Sequence, residues 1–153
     1  MHKMTRLIFV LIAFLCGCAA FEENAGFPEE QYFGDTPFER LLSKVNKEAN
    51  YARPCRLLSR CQADLPAREE LARTVFVDSK GYVMKKAYAL QDAGVDESRM
   101  RVATFELFRF LHYVLVVDGR YVLDNFHSPV RELGDYERFN PVVQPIPHSL
   151  MAR

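Results

Sequence analysis

Asp78-Ser79-Lys80-Gly81-Tyr82, then His112-Tyr113-Val114-Leu115-Val116-Val117, then Asp118-Gly119 and Arg120-Tyr121-Val122-Leu123-Asp124-Asn125 decide the fold. Asp78 is placed to cap a helix whose first residue is Ser79. Val83, Ala87 and Leu90 follow at helical spacing, with Met84 and Tyr88 beside them, so this helix is broadly apolar and belongs inside. Gly94 ends it as a left-handed cap. Residues 100–107 read as a strand through Val102, Phe105 and Leu107, and the two runs around Asp118-Gly119 read as a hairpin.

The register of that hairpin decides the chemistry. A two-residue turn pairs Val117 with Arg120, sets His112 against Asn125, and sends Asp124 to the other side of the sheet. A three-residue turn with Gly119 left-handed pairs Val116 with Arg120 and sets His112 opposite Asp124. Only this second register lets the carboxylate reach the ring. It places Tyr113, Leu115, Tyr121 and Leu123 on the opposite face, so both faces are apolar and the sheet is covered twice. Alone, His112 reads as a hydrogen-bonded core histidine. With Asp124 opposite and a hydroxyl at a helix tip, the set has the order of nucleophile, base and orienter.

This pattern resembles the bacterial transglutaminase-like cysteine peptidases, relatives of the papain-like enzymes. In that family a Gly-Asp-Cys-Glu-Asp-Tyr-Ala-like motif opens the central helix, a His starts a strand, and a Val-Leu-Asp-Asn segment carries the acid. Here Asp78, Tyr82, His112 and Val122-Leu123-Asp124-Asn125 fit, and Ser79 stands where the family has Cys. The resemblance spans residues 41–140 and is sharpest over 78–125. It implies an α+β, papain/transglutaminase-like fold, with a central helix packed on an antiparallel β-sheet and helices N-terminal to it. It also implies a Ser79-His112-Asp124 site acting on or binding peptides or proteins, with Asp78, Tyr82 and Asn125 lining the cleft. No cofactor is implied. Some family members bind calcium through acidic residues just after the nucleophile. Here those places hold Lys80 and Gly81, so no metal is expected.

A thiol at residue 79 would gain acidity from the helix dipole and give its proton to His112, while Asp124 held the ring. Free N–H groups at the helix start would stabilise an oxyanion. A Ser hydroxyl is far less acidic, so no resting ion pair forms, and the reading is a site weakened or inactive as an amide-cleaving enzyme. The alternative is a non-catalytic binder of peptides or cell-wall components. His127 and His148 are rival bases, and Cys55 and Cys61 are rival nucleophiles.

The chain begins with Lys3 and Arg6, an apolar run to Leu15, and then Cys16-Gly17-Cys18. The run is shorter than the ~20 residues a bilayer core requires. Its end resembles a bacterial lipoprotein box, with Cys18 the lipidated residue after removal of residues 1–17. Ala19 at the next position points to outer-membrane sorting, hence a periplasmic, lipid-anchored protein. Residues 18–35 read as a tether and 36–153 as the domain. Thr36, Pro37 and Glu39 start the first helix with a capping box, and Phe38, Leu41, Leu42, Val45 and Ala49 form its inner face. Leu57 and Leu58 fit a short second helix, and Asp64-Leu65-Pro66 the start of a third that ends near Ala72. An oxidising compartment permits a Cys55–Cys61 disulfide, which requires a break in any helix between them. Pro141, Pro145 and Pro147 argue against a helix near the end.

The chain has 153 residues, 49% of them hydrophobic, enough for one domain with a real core. Twenty basic residues balance twenty acidic ones with no basic block, which removes electrostatic support for a nucleic-acid partner. Partners are therefore a peptide or protein substrate and, through the N-terminal lipid, a membrane. The sequence does not address oligomeric state.

Overall fold

A computed structural model describes residues 34–55, 63–107 and 109–152. The expected signal, tether, Cys18, Leu57, Leu58 and Cys61 lie, wholly or almost so, outside the described residues.

Helix α1, Pro37–Asn50, starts as the capping box requires. The Glu39 N–H donates to Thr36 Oγ1 at 3.1 Å, and the Thr36 N–H donates back to Glu39 Oε2 at 3.0 Å. Leu42, Val45 and Asn46 face inward. After α1 the chain is extended. Strand β1, Arg53–Pro54, pairs in parallel with β2, Phe76–Val77, and the Cys55 N–H donates to the Val77 carbonyl at 2.8 Å. Cys55 is disulfide-bonded and sits on extended chain. Helix α2 covers Arg68–Arg73, later than the expected start at Asp64. Its N-cap is Ala67, which offers no side-chain cap, and Glu69 and Glu70 in the first turn complement the dipole instead.

Helix α3, Ser79–Asp92, is capped by Asp78. Asp78 Oδ1 accepts the N–H groups of Lys80 at 3.0 Å and Gly81 at 3.2 Å. Val83, Met84, Ala87, Tyr88 and Leu90 are buried, and Gly94 leaves the helix at φ +87°. A 3-10 turn at Glu97–Arg99 leads into β3, Met100–Leu107. Then come β4 (Phe110–Val117), β5 (Tyr121–Leu123), β6 (Arg131–Glu132), a 3-10 turn at Leu133–Phe139, and β7 (Val142–Pro145). The five strands form one sheet in the order β6-β5-β4-β3-β7, with every neighbouring pair antiparallel.

The pleat sorts the side chains. Met100, Val102, Leu115, Val117 and Leu123 share one core with Leu42 of α1 and Val83, Met84, Ala87 and Leu90 of α3. Ala103, Phe105, Val114, Val116 and Val122 are buried on the other face. There Phe105 meets Tyr136 and Phe139 of the second 3-10 turn, with ring centroids 5.6 and 5.2 Å away. The sheet is covered on both sides, as the two apolar faces require.

The hairpin register matches neither expected turn. Val117 pairs with Tyr121, Val116 with Val122 and Leu115 with Leu123. Asp118 and Gly119 both take positive φ, +56° and +65°, and the Arg120 N–H donates to the Val117 carbonyl at 3.1 Å. The tight turn thus uses two left-handed residues, and Arg120 is an extra residue before pairing begins. Asp118 tolerates this conformation because a short polar side chain does. Continuing the register sets His112 opposite Phe126. Asp124 stays on the same face, two residues back along the chain from Phe126 and diagonal to the ring.

The prolines do not exclude a terminal helix. Helix α4, His148–Met151, begins directly after Pro147, where a missing N–H deprives no intrahelical bond. It docks on α3: the Tyr88 hydroxyl donates to the Leu150 carbonyl at 3.1 Å, and Gln91 Nε2 donates to the Met151 carbonyl at 2.5 Å. Among the described residues no helix is long and apolar enough to cross a membrane.

Two substitutions should separate cap from core in urea denaturation. Thr36→Ala should cost about 1 kcal/mol. Leu115→Ala, at a site with no exposure, should cost about 2–5 kcal/mol, with an unchanged denaturant slope.

Candidate functional site

His112, near the start of β4, and Asp124, just past β5, meet in a buried pair. His112 Nε2 lies 2.9 Å from Asp124 Oδ1, and the two side chains are 6% and 3% exposed. The carboxylate has two further donors. The Phe126 N–H reaches Oδ1 at 2.9 Å, and the Tyr136 hydroxyl reaches Oδ2 at 3.0 Å. Burial by itself would raise the Asp124 carboxyl. The His112 charge and hydrogen bond and the Phe126 N–H outweigh it and hold the group far below the usual carboxylate range. Burial, then the Asp124 charge, pushes the Tyr136 hydroxyl far up, so it remains a donor. A carboxylate facing Nε2 accepts a proton from it, which assigns the N–H to Nε2 and the lone pair of the neutral ring to Nδ1. Among the described residues Nδ1 has no hydrogen-bond partner. The ring is clamped by Phe126, stacked at 4.5 Å and 14°, and by the edge contact with Phe105 at 5.2 Å and 70°.

Ser79 is the first residue of α3 and is half-buried. Its hydroxyl makes no hydrogen bond with His112 or Asp124. The body of α3 packs on the face opposite the imidazole, but its tip reaches the same stretch of β4. Lys80 Nζ, next to Ser79, lies 5.7 Å from the ring centre of Tyr113, next to His112. The expectation of several free N–H groups at this tip is corrected. Lys80 and Gly81 donate to the Asp78 side chain and Tyr82 to the Asp78 carbonyl, leaving the amide of Ser79 itself.

Two of the expected cleft-lining residues, Asp78 and Tyr82, have other partners. Asp78 is the helix cap. The buried Tyr82 donates its hydroxyl to the Ala52 carbonyl at 2.7 Å, tying α3 to the chain after α1. Asn125 is half-buried, and among the described residues its Oδ1 has no hydrogen-bond partner. The rival groups separate cleanly. His148 pairs with Glu97 on the surface, its side chain 80% exposed. His127 has its carbonyl held by Asn46, and its charge is a minor influence on Asp124. Cys55 is oxidised and cannot act as a thiolate.

Sequence reasoning missed Tyr136, Phe126 and Phe105 as parts of the site. No motif links Tyr136 to Asp124; the 3-10 turn alone brings it there. It also missed Lys86, 1% exposed on α3. A signal existed: Lys86 falls on the face of Ser79, Tyr82 and Val83, at i, i+3, i+4 and i+7. Among the described residues no three His, Cys, Asp or Glu side chains gather as a metal site. Lys80 directs its ammonium at the Ala63 carbonyl, 2.8 Å away, beside the helix tip. A positive group there does not fit a cation.

No family model matches the chain, and no curated protein does. Solved structures do. Calcium-bound LapG of Legionella pneumophila superposes with a TM-score of 0.59 at 16% identity, over 74% of this chain and 71% of that one. The EGTA-treated form of the same protein gives 0.59 and 16%, over 74% and 70%. LapG has a bacterial transglutaminase-like cysteine protease fold, and the likeness shows that this mixed helix and antiparallel-sheet chain shares that fold.

The buried pair makes stability depend on pH with a definite sign. The Asp124 carboxyl is lowered in the folded chain, so its stabilisation is complete above the unfolded value of about 3.9 and fades as pH falls below it. Asp124→Asn should therefore be less stable than the parent at pH 6, with the difference shrinking as pH drops below about 4. Tyr136→Phe should cost about 1.5–3 kcal/mol near neutrality, as loss of a hydrogen bond to a charged group does.

Proposed function

We propose that this chain is a transglutaminase-like peptidase-fold protein that engages peptide or protein substrates at Ser79, His112 and Asp124. Serine in place of cysteine leaves the site weakened or inactive. The observation that carries the reading is the buried His112–Asp124 pair with Nδ1 unengaged. A ring held between two aromatic neighbours and hydrogen-bonded to a carboxylate with two further donors is a base of fixed orientation. In the active form of this chemistry Nδ1 takes the proton of the residue-79 side chain, and that atom adds to a substrate carbonyl. The amide of residue 79 steadies the developing oxyanion. The imidazolium then gives its proton to the departing amine, and water releases the acyl group by the same relay. Asp124 stays ionised throughout and stabilises the imidazolium.

With oxygen at residue 79 the first step has no resting thiolate to draw on. A second reading, a non-catalytic binder of the same fold, is favoured by one observation: the Ser79 hydroxyl is not hydrogen-bonded to His112. The same proposal places the protein in the periplasm, anchored through lipid on Cys18 and sorted to the outer membrane. The basic start, short apolar run and Leu15-Cys16-Gly17-Cys18 support this.

Ser79→Cys decides between the two readings. If the site is a disarmed enzyme, residue 79 as cysteine should react with iodoacetamide at pH 6 faster than free cysteine and should cleave labelled casein. His112→Ala should slow both by about 10²–10⁴-fold. Ordinary thiol reactivity, unaltered by His112→Ala, would leave binding alone. For the anchor, Cys18→Ala should abolish palmitate labelling and release the protein from membranes.

A further inference from the structure

Lys86 lies two turns along α3 from Ser79, with its side chain enclosed. Its Nζ donates to the Leu123 carbonyl at 3.3 Å and sits 5.9 Å from the Tyr82 ring centre. One long hydrogen bond does not replace the hydration of an ammonium. A methionine would fill the same slot without charge, and such exchanges often stabilise. Burial lowers the Lys86 pKa to about 7, and the Asp124 charge opposes that fall. Helix α1 adds neutral amides on the same stretch of chain. Asn50 Nδ2 donates to the Asp124 carbonyl at 3.2 Å, and Asn46 Nδ2 to the carbonyls of His127 and Ser128, each at 2.8 Å. Two helices thus grip the backbone on either side of Asp124 and Phe126, the residues that orient His112.

We propose that Lys86 is a positioning residue: its ammonium holds the Leu123 carbonyl, the backbone directly before Asp124, so that the carboxylate stays aimed at His112. A residue kept only for packing would not carry this desolvated charge. The inference deepens the reading of His112 and Asp124 as a site and rests on it.

The test compares Lys86→Met with the parent in three ways. First, thermal unfolding at pH 6 should show the variant at least as stable. The parent should then gain on it between about pH 7 and pH 10, because the unfolded lysine keeps its proton to about 10.4 while the folded one releases it near 7. Second, the downfield proton resonance of the His112 N–H donated to Asp124 should shift or broaden, with far-ultraviolet circular dichroism unchanged. Third, in a Ser79→Cys background, kcat should fall roughly tenfold to a hundredfold, with KM changed less than about twofold. A Lys86→Met protein that fails to fold or is less stable at pH 6 overturns the proposal, as does one whose N–H resonance matches the parent's. If the Ser79→Cys background shows no turnover, the catalytic reading fails on its own, and the first two measurements still decide the role of Lys86.

Discussion

A carboxylate enclosed between a sheet and a 3-10 turn is the constraint from which much of this structure follows. Asp124 is desolvated, and a desolvated carboxylate survives only if its lone pairs are filled. Filling them recruits an imidazole from β4, a backbone amide two residues on, and a phenol from the second 3-10 turn. Each donor fixes an element. The imidazole ties β4 to the end of β5. The phenol brings residues 133–139 over the sheet. The amide of Phe126 bends the chain so that its own ring lies flat on His112. One charge thereby organises a region that hydrophobic burial alone would leave loosely specified.

The two sides of the sheet divide the work. On one side α1, α3 and the inward residues of β3, β4 and β5 form a continuous apolar core. On the other, aromatic rings surround the polar pair. Ser79 sits where α3 begins, so its position is set by the Asp78 cap and by the short β1–β2 pairing that delivers the chain to it. The likeness to LapG covers 74% of this chain at 16% identity. That is the pattern expected when backbone architecture outlasts side-chain detail.

Much of this was legible in the sequence, because it is local. Thr36 with Glu39, Asp78 before an apolar run, and Gly94 after it are chemical signals within a turn of where they act. Strand alternation placed Leu115 and Leu123 on one face and His112 and Asp124 on the other. The offset of the hairpin was not legible, since it depends on Asp118 joining Gly119 in left-handed backbone and leaving Arg120 over. Tyr136 was hidden for another reason: its contact with Asp124 is made by a short turn with no periodicity. Lys86 showed the reverse failing. Its place on the inner face was readable, but lysine is so often exposed that the pattern was passed over.

The hairpin turn has a consequence beyond its own geometry. Side chains in a strand alternate, so the parity of the loop 118–120 determines which face every later residue of β5 occupies. Gaining or losing one residue there would swap Leu123 with Asp124, driving a carboxylate into the helix-side core and a leucine into the polar pocket. Surface loops usually tolerate changes of length; this one tolerates them only in twos. The exposed tip of the hairpin is thus tied as firmly to the buried pair as the pair's own side chains are.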